Sequence, residues 1–428
     1  MKHILKVCVG SRAITAGFLA FDPDRPNGSQ FAYADEFFAR PESFALSPDL
    51  PLMAGWQIVR RGTKRSPFPW AVSDCEPDSW GRRIIRRAFS KLGSRIDRDL
   101  NALDYLLAVD DFSRVGALRF CEVDREPGSN DDGRRRTPTL IDLHQLFDAG
   151  RRLELDRETQ EDLLYLEGRG TSLGGARPKC TLINEAGRLS LGKFASVADE
   201  RDIAKGEILA LRLAQSCGIA SALGEVVMIG SSSVSVIERF DRVHESDERI
   251  PYLSAAAFLQ RSEEDDPPAS WVELFEMLIT LSGERWESVG EEIFRRILFN
   301  LLVNNTDDHG RNTGLLMDAA GAWRLAPAFD LNPVPLKRPN LPYVSKFFLT
   351  PMAPAEDLRQ VLASADDFGI GKRRAVELLA EVVKGISSWK KVARMKGVGM
   401  SDRDVAAYAP AFEHDRMALA KVLAAGAA

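Results

Sequence analysis

Histidine and cysteine are both scarce in this sequence, with five of each among 428 residues. The cysteines, Cys8, Cys75, Cys121, Cys180 and Cys217, are scattered and form neither a CxxC pair nor a zinc-type spacing. That pattern argues against a disulfide framework and predicts reduced, mostly buried thiols in a reducing compartment. No HxH or HExxH pair occurs, which argues against a zinc enzyme. No run of about 18 apolar residues occurs either, so no transmembrane helix is expected. A basic surplus is also missing: 57 Lys and Arg against 62 Asp and Glu leave a formal charge of −5, unlike a protein that coats nucleic acid by bulk charge. Lys6 and Arg12 interrupt any apolar leader, and no small-residue cleavage site follows, so no signal peptide is read and a cytoplasmic location is expected.

What is present is ordinary globular material, 45% hydrophobic and 28% charged, in a length that suits two to four domains or one large two-lobed unit. Residues 1–35 alternate as short strands, and from Asp78 the apolar residues Trp80, Ile84, Ile85, Ala88 and Phe89 recur at helix spacing, with Arg82, Arg83, Arg86 and Arg87 on the other face. Arg114–Phe120 reads as a strand. Residues 122–138 hold almost nothing to bury and read as a linker or exposed loop; their arginine triplet 134–136 suits a solvated loop. From 172 to about 242 the order is strand, strand, helix (Ile203–Ser216), strand, strand, a small α+β layout. A helix over 291–303 follows, with Ile293, Phe294, Ile297, Leu298, Leu301 and Leu302 on one face. The expected parts are 1–121, the linker 122–138, 139–242 and a helical 243–428.

The strongest chemical pattern is Asn305-Thr306-Asp307-Asp308-His309-Gly310-Arg311-Asn312, directly after that helix, with Asp330 beyond a short strand pair. An Asp, an Asn five residues later and a further Asp form a phosphoryl-transfer layout. One Asp orients the attacking hydroxyl, while an Asn and the second Asp hold Mg²⁺ against nucleotide phosphates. The alternative is that these are solvated loop acids and a turn-forming Asn. A second pattern is the Gly-rich stretch 170–179, Gly-Thr-Ser-Leu-Gly-Gly-Ala-Arg-Pro-Lys, whose small residues admit phosphates to backbone N–H groups; a flexible hairpin is the other reading. Lys193 ends the next strand where a phosphate-contacting lysine would stand, and Glu207 in the following helix is its candidate ion-pair partner. A third is Val236-Ile237-Glu238-Arg239-Phe240-Asp241-Arg242, a connector that would pass an adenine or, alternatively, a salt-bridged strand end.

Together these stretches resemble the HipA family of bacterial serine/threonine kinases, toxins of toxin–antitoxin pairs. The N-terminal part agrees: Ser47 with Leu50-Pro51-Leu52 resembles the family's S-x-x-LP-L stretch, Glu76 to Arg83 its LPDGWGRR motif, and Val115 to Leu118 its VGAL strand. The resemblance covers nearly the whole chain. It implies an α+β, two-lobed protein-kinase-like fold with a mixed β/α N-terminal lobe and a mainly helical C-terminal lobe. It implies that Asp307 is the catalytic base and that Asn312 and Asp330 are Mg²⁺ ligands. Gly174, Gly175, Ala176, Arg177, Pro178 and Lys179 would cover the ATP phosphates, with Lys193 contacting them. Glu238, Arg239 and Phe240 would read the adenine through their backbone, Asp241 the ribose, and His309, Gly310, Arg311 and Phe329 would complete the site. Ser172 matches the autophosphorylated serine, where added negative charge would repel ATP. The sequence departs from the family at Glu76 and Ser79, at Ala176-Arg177-Pro178-Lys179 where Ala-Gln-Glu-Lys is usual, and at Asp308 where some members carry Gly.

The implied partners are a helix-turn-helix antitoxin of the HipB type, DNA through that complex, and a protein substrate of the aminoacyl-tRNA synthetase kind, glutamate–tRNA ligase being the family's type. No membrane partner is implied. The basic run 389–396 reads as a solvated helix face or as a contact to DNA phosphates. Two other functions compete: a small-molecule phosphotransferase sharing the D-x-x-x-x-N…D logic, and a non-enzymatic, antitoxin-binding corepressor. The resemblance over 1–120 weighs against the first, and the intact Lys193, Asp307, Asn312 and Asp330 against the second.

Overall fold

The computed structural model of the chain describes residues 2–426 except 61–65, 92–98, 129–139, 168, 171–176, 245, 247, 262–264, 266, 283–285, 339 and 344. The linker's arginine triplet 134–136 lies outside the described residues. The chain forms two compact units, Met1–Ala198 with Glu238–Leu253, and Asp199–Ile237 with Ser254–Ala428.

The first unit is built on an antiparallel sheet of order β4-β3-β2-β1-β5: β1 His3–Val9, β2 Ile14–Phe21, β3 Gly28–Tyr33, β4 Trp56–Arg60 and β5 Leu118–Glu122. Alternation drives it, with Leu5 and Val7 of β1 buried and Ile4 exposed. Gly17 faces Tyr33 across β2 and β3; a Cβ there would meet the Ala32 carbonyl oxygen at 2.3 Å, so only glycine lets the strands close. The helix Ser79–Lys91 buries Trp80, Ile84, Ile85 and Ala88 as its spacing predicts, and Arg83 and Arg87 on its outer face pair with Asp156. A second hairpin joins β6 (Lys179–Ile183) and β7 (Leu189–Phe194), with Lys179 opposite Lys193.

Residues 114–117 do not open a strand as expected; β5 begins at Leu118. They form an irregular bend in which Gly116 takes φ +67, and Asp241 explains it. Its buried carboxylate accepts the Gly116 N–H at 2.7 Å and binds the Arg239 and Arg242 guanidinia. Arg239 also donates to the Ser113 carbonyl at 2.6 Å, and Arg242 to that of Arg114 at 2.8 Å. Burial alone would raise the Asp241 pKa, but the two guanidinia outweigh it and hold the carboxyl far below the usual range.

In the second unit the helix Ile203–Ser216 starts at Asp202, whose carboxylate accepts the Lys205 N–H at 3.0 Å. It leads into the hairpin of β8 (Gly224–Ile229) and β9 (Ser232–Glu238). The helices Trp271–Ser282 and Trp286–Leu302, a short hairpin of Gly314–Met317 and Trp323–Leu325, and the helices Lys372–Ser387, Asp402–Phe412 and Asp415–Ala425 complete it. Lys390 and Arg394 of the basic run pair with Glu413 and Asp402, which suits a solvated face. All five cysteines are buried and free. Among the described residues no helix is long and apolar enough to cross a membrane.

Because removing one partner of a buried ion pair strands the other charge, Asp241→Asn should lower stability by about 3–5 kcal/mol. Urea unfolding at neutral pH reads this directly, and a wild-type midpoint would show that the network is not a determinant of the first unit.

Candidate active site

The site in the second unit begins with the helix Trp286–Leu302. Ile293, Phe294, Ile297, Leu298, Leu301 and Leu302 are all buried, so its C-terminal end is fixed by packing. The chain leaves through Asn304 at φ +55, a left-handed conformation that Asn tolerates better than most residues. Asn305 then ties the loop down. Its N–H bonds the Asn300 carbonyl at 2.9 Å and its amide bonds the Asn300 side chain at 3.2 Å. Its own carbonyl accepts the Tyr343 hydroxyl at 2.8 Å.

The two adjacent aspartates separate completely. Asp307 is half-exposed and its Oδ1 accepts from Lys346 Nζ at 2.9 Å. Asp308 is buried beside Ser345, whose Oγ lies 3.4 Å from Oδ2. Burial pushes the Asp308 carboxyl up to about 7, against the opposing pull of the Asn300, Trp271 and Ser345 side chains. The Asp308 carbonyl accepts the Lys346 N–H at 3.1 Å, so Tyr343, Ser345 and Lys346 form a brace along the loop. His309 lies with Nε2 3.9 Å from Asp307 Oδ1, and its Nδ1 accepts the Arg311 N–H at 3.2 Å. Gly310 accepts the Ala256 N–H at 3.0 Å. Arg311 points outward.

Asn312 turns back on the loop, donating from Nδ2 to the Asp307 carbonyl at 3.0 Å, which directs its amide oxygen elsewhere. Asp330 arrives from the short hairpin. Ala328, two residues earlier, is held by backbone bonds to Ala220 and Ala222 at 2.7 and 2.9 Å. Asp330 itself takes φ +54, and its Oδ1 accepts from Asn332 Nδ2 at 3.0 Å. A non-glycine residue held in this region beside a polar recess is the kind of strain that functional sites carry. Asn305, Asp308, Asn312, Phe329 and Asp330 line one recess of about 20 Å³.

The donor set suits Mg²⁺. Asn312 and Asp330 carry hard oxygen donors on one recess and could hold such an ion there. Mg²⁺ favours such sparse protein ligation, completed by phosphates and water.

Elsewhere the structure parts from expectation. Lys179 is buried, with Nζ on Asp78 Oδ2 at 2.8 Å, and its carbonyl accepts the Trp80 indole N–H at 3.2 Å. Its ammonium anchors the DSWGRR helix and is withdrawn from any phosphate. Asp241 is spent on the two arginines and Gly116, which withdraws it from a ribose, and the Arg239 side chain is buried with it. The Arg239 N–H is donated to the Leu189 carbonyl at 2.9 Å, which takes that one donor of the connector. Glu238 accepts from Arg188 at 2.7 Å and Asn184 at 3.2 Å, the salt-bridged strand end. Phe240 packs near Tyr252. Arg177 is half-buried and Pro178 is buried, its carbonyl accepting the Phe194 N–H at 2.9 Å. Ser172, Gly174, Gly175 and Ala176 lie outside the described residues. Lys193 falls in the first unit, and Glu207, buried and accepting from Ser235 Oγ at 3.1 Å, in the second.

Sequence reasoning missed Asn305, Asn332 and Lys346. Asn305 opens the quoted loop motif without an assigned role and Asn332 lies two residues after Asp330; Lys346 is 39 positions from Asp307, in an irregular segment that carries no pattern.

An α+β fold with this aspartate–asparagine loop is that of a protein kinase. A family model described as the HipA-like C-terminal domain matches residues 171–390, just over half of the chain. A relative from Sinorhizobium fredii named "Putative kinase Y4mE" is 28% identical over 330 residues, covering 73% of this chain and 73% of its own. The fold matches that of a chain from the Shewanella oneidensis toxin–antitoxin system, solved as a complex of HipA, HipB and operator DNA. There the TM-score is 0.67 at 17% identity, with 99% of this chain and 96% of that one covered. The chain belongs to the HipA family.

The raised Asp308 carboxyl fixes a sign. Between about pH 4 and 7 the folded state keeps a proton that the unfolded state has lost, so stability falls as pH rises through that window and levels off above it. Asp308→Asn should remove this part of the slope. Urea unfolding of both proteins at pH 4.5 and 7.5 should find the wild type's relative advantage larger at the lower pH; an equal difference at both would contradict a carboxyl pushed up by burial.

Proposed function

We propose that the protein is an ATP- and Mg²⁺-dependent serine/threonine protein kinase, the toxin of a toxin–antitoxin pair. The observation that carries the reading is that Asn312 and Asp330 share one recess in the second unit while Asp307 stands at the exposed end of the same loop. Asp307 takes the proton of the attacking hydroxyl, and Asn312 and Asp330 hold the metal. Mg²⁺, when bound, neutralises charge on the phosphates. Gly310 lets the loop lie against Ala256, where a Cβ would come within 3.1 Å of the Ala256 nitrogen. The resemblance further assigns Lys193 to the nucleotide phosphates and Ser172 to self-inactivating phosphorylation.

A HipB-type antitoxin, and operator DNA through it, are the partners proposed here, supported by the family and by the complex in which the Shewanella chain was solved. A translation enzyme of the aminoacyl-tRNA synthetase class is the proposed substrate, by family likeness.

Incubation with ATP and Mg²⁺ followed by peptide mass spectrometry tests the reading. Phosphate should appear on Ser172, and Asp307→Asn should lower incorporation by about three orders of magnitude while nucleotide binding persists. Full incorporation by the variant would remove Asp307 from the role of base.

A further inference from the structure

Lys346 has no place in the D-x-x-x-x-N…D layout, yet its ammonium meets the candidate base. Nζ lies 2.9 Å from Asp307 Oδ1, and the backbone holds it there, because the Lys346 N–H is bonded to the carbonyl of Asp308 at 3.1 Å. The flanking residues are locked in turn. Ser345 Oγ donates to the Phe347 carbonyl at 2.7 Å and accepts its N–H at 3.1 Å, and Tyr343 is bonded to Asn305. The brace therefore presents the Lys346 ammonium to the Asp307 carboxylate.

Stability does not account for the pair. Both side chains are about half exposed, at 47% and 50%, and such pairs contribute about 0–1 kcal/mol. Chemistry does. A phosphoryl group approaching Asp307 brings anion towards anion, and an ammonium with three donors can bond a carboxylate and a phosphoryl oxygen together. We propose that Lys346 is a catalytic residue that bridges the Asp307 carboxylate to the transferring phosphoryl group; this rests on the kinase reading of the loop. The acceptor oxygen forms its bond to the γ-phosphorus as the bond from that phosphorus to the β-bridging oxygen breaks. The electron pair leaves with ADP, and the acceptor's proton passes to Asp307. Lys346 stays protonated throughout. Its bond to Oδ1 leaves Oδ2 to receive that proton.

Calorimetry on the full chain with MgADP and with MgADP plus aluminium fluoride, a mimic of the transferring group, separates this role from a structural one. Lys346→Met should leave MgADP affinity within about twofold but weaken the aluminium fluoride complex by about ten- to a hundredfold, as loss of one charge-stabilising donor does. In ATP turnover the loss should fall on kcat with KM for ATP unchanged, the urea midpoint should hold, and Lys346→Arg should restore part of the rate. Equal affinity for the mimic in Lys346→Met and wild type, with Asp307→Asn inactive, would overturn the proposal and leave the kinase reading standing. An equal loss for both ligands with a lowered midpoint would make Lys346 a structural brace only. Wild-type protein that binds neither ligand, or Asp307→Asn that turns over ATP at the wild-type rate, would overturn the underlying reading and this proposal with it.

Discussion

The candidate site depends on the burial of one carboxyl. Asp308 is buried under the loop while its neighbour Asp307 is half exposed. A buried carboxyl without a cation against it is expensive when ionised, which is why its pKa rises. Asn300, Asn305 and Tyr343 tie this part of the loop down with hydrogen bonds. Such polar clusters hold geometry tightly when every member is satisfied. Asn312 and Asp330 inherit that rigidity, one through Asp307 and the other through Asn332 and Asn305.

The first unit shows the same economy of buried charge in another form. Motifs that look like ligand-binding residues in the sequence turn inward. Lys179 meets Asp78, and Arg239 and Arg242 meet Asp241. Lys179 and Asp78 join two separate stretches of the resemblance, and Asp241, paired with arginines of its own stretch, reaches Gly116 of a third. Residues carried over from a family by position alone thus divide into those that face a recess and those that hold the frame.

Much of the architecture was legible beforehand because it rests on periodicity. The helix Ile203–Ser216 was readable from its apolar pattern and the Gly218 that follows it, while its Asp202 cap emerged only in the structure. The helix before the loop was readable through its apolar face, although its first turn, from Trp286, lay beyond the periodic stretch. Arg114–Ala117 misled because alternating apolar residues suggest a strand, whereas the bend there is imposed by Asp241, 125 positions away from Gly116. Within the site, Asp307, Asn312 and Asp330 were legible from spacing. Lys346 and the burial of Asp308 were not, because spacing along the chain does not say which of two neighbouring acids turns inward or which distant cation arrives.

The division of the chain bears on how it is made. The first unit takes its last stretch, Glu238–Leu253, from beyond a stretch that belongs to the second. A ribosome that has delivered Ala198 has therefore not yet delivered Asp241, and the Gly116 bend lacks its acceptor until it does. The Ser113 and Arg114 carbonyls likewise wait for the Arg239 and Arg242 guanidinia. Synthesis order thus makes completion of the first unit wait on translation of part of the second.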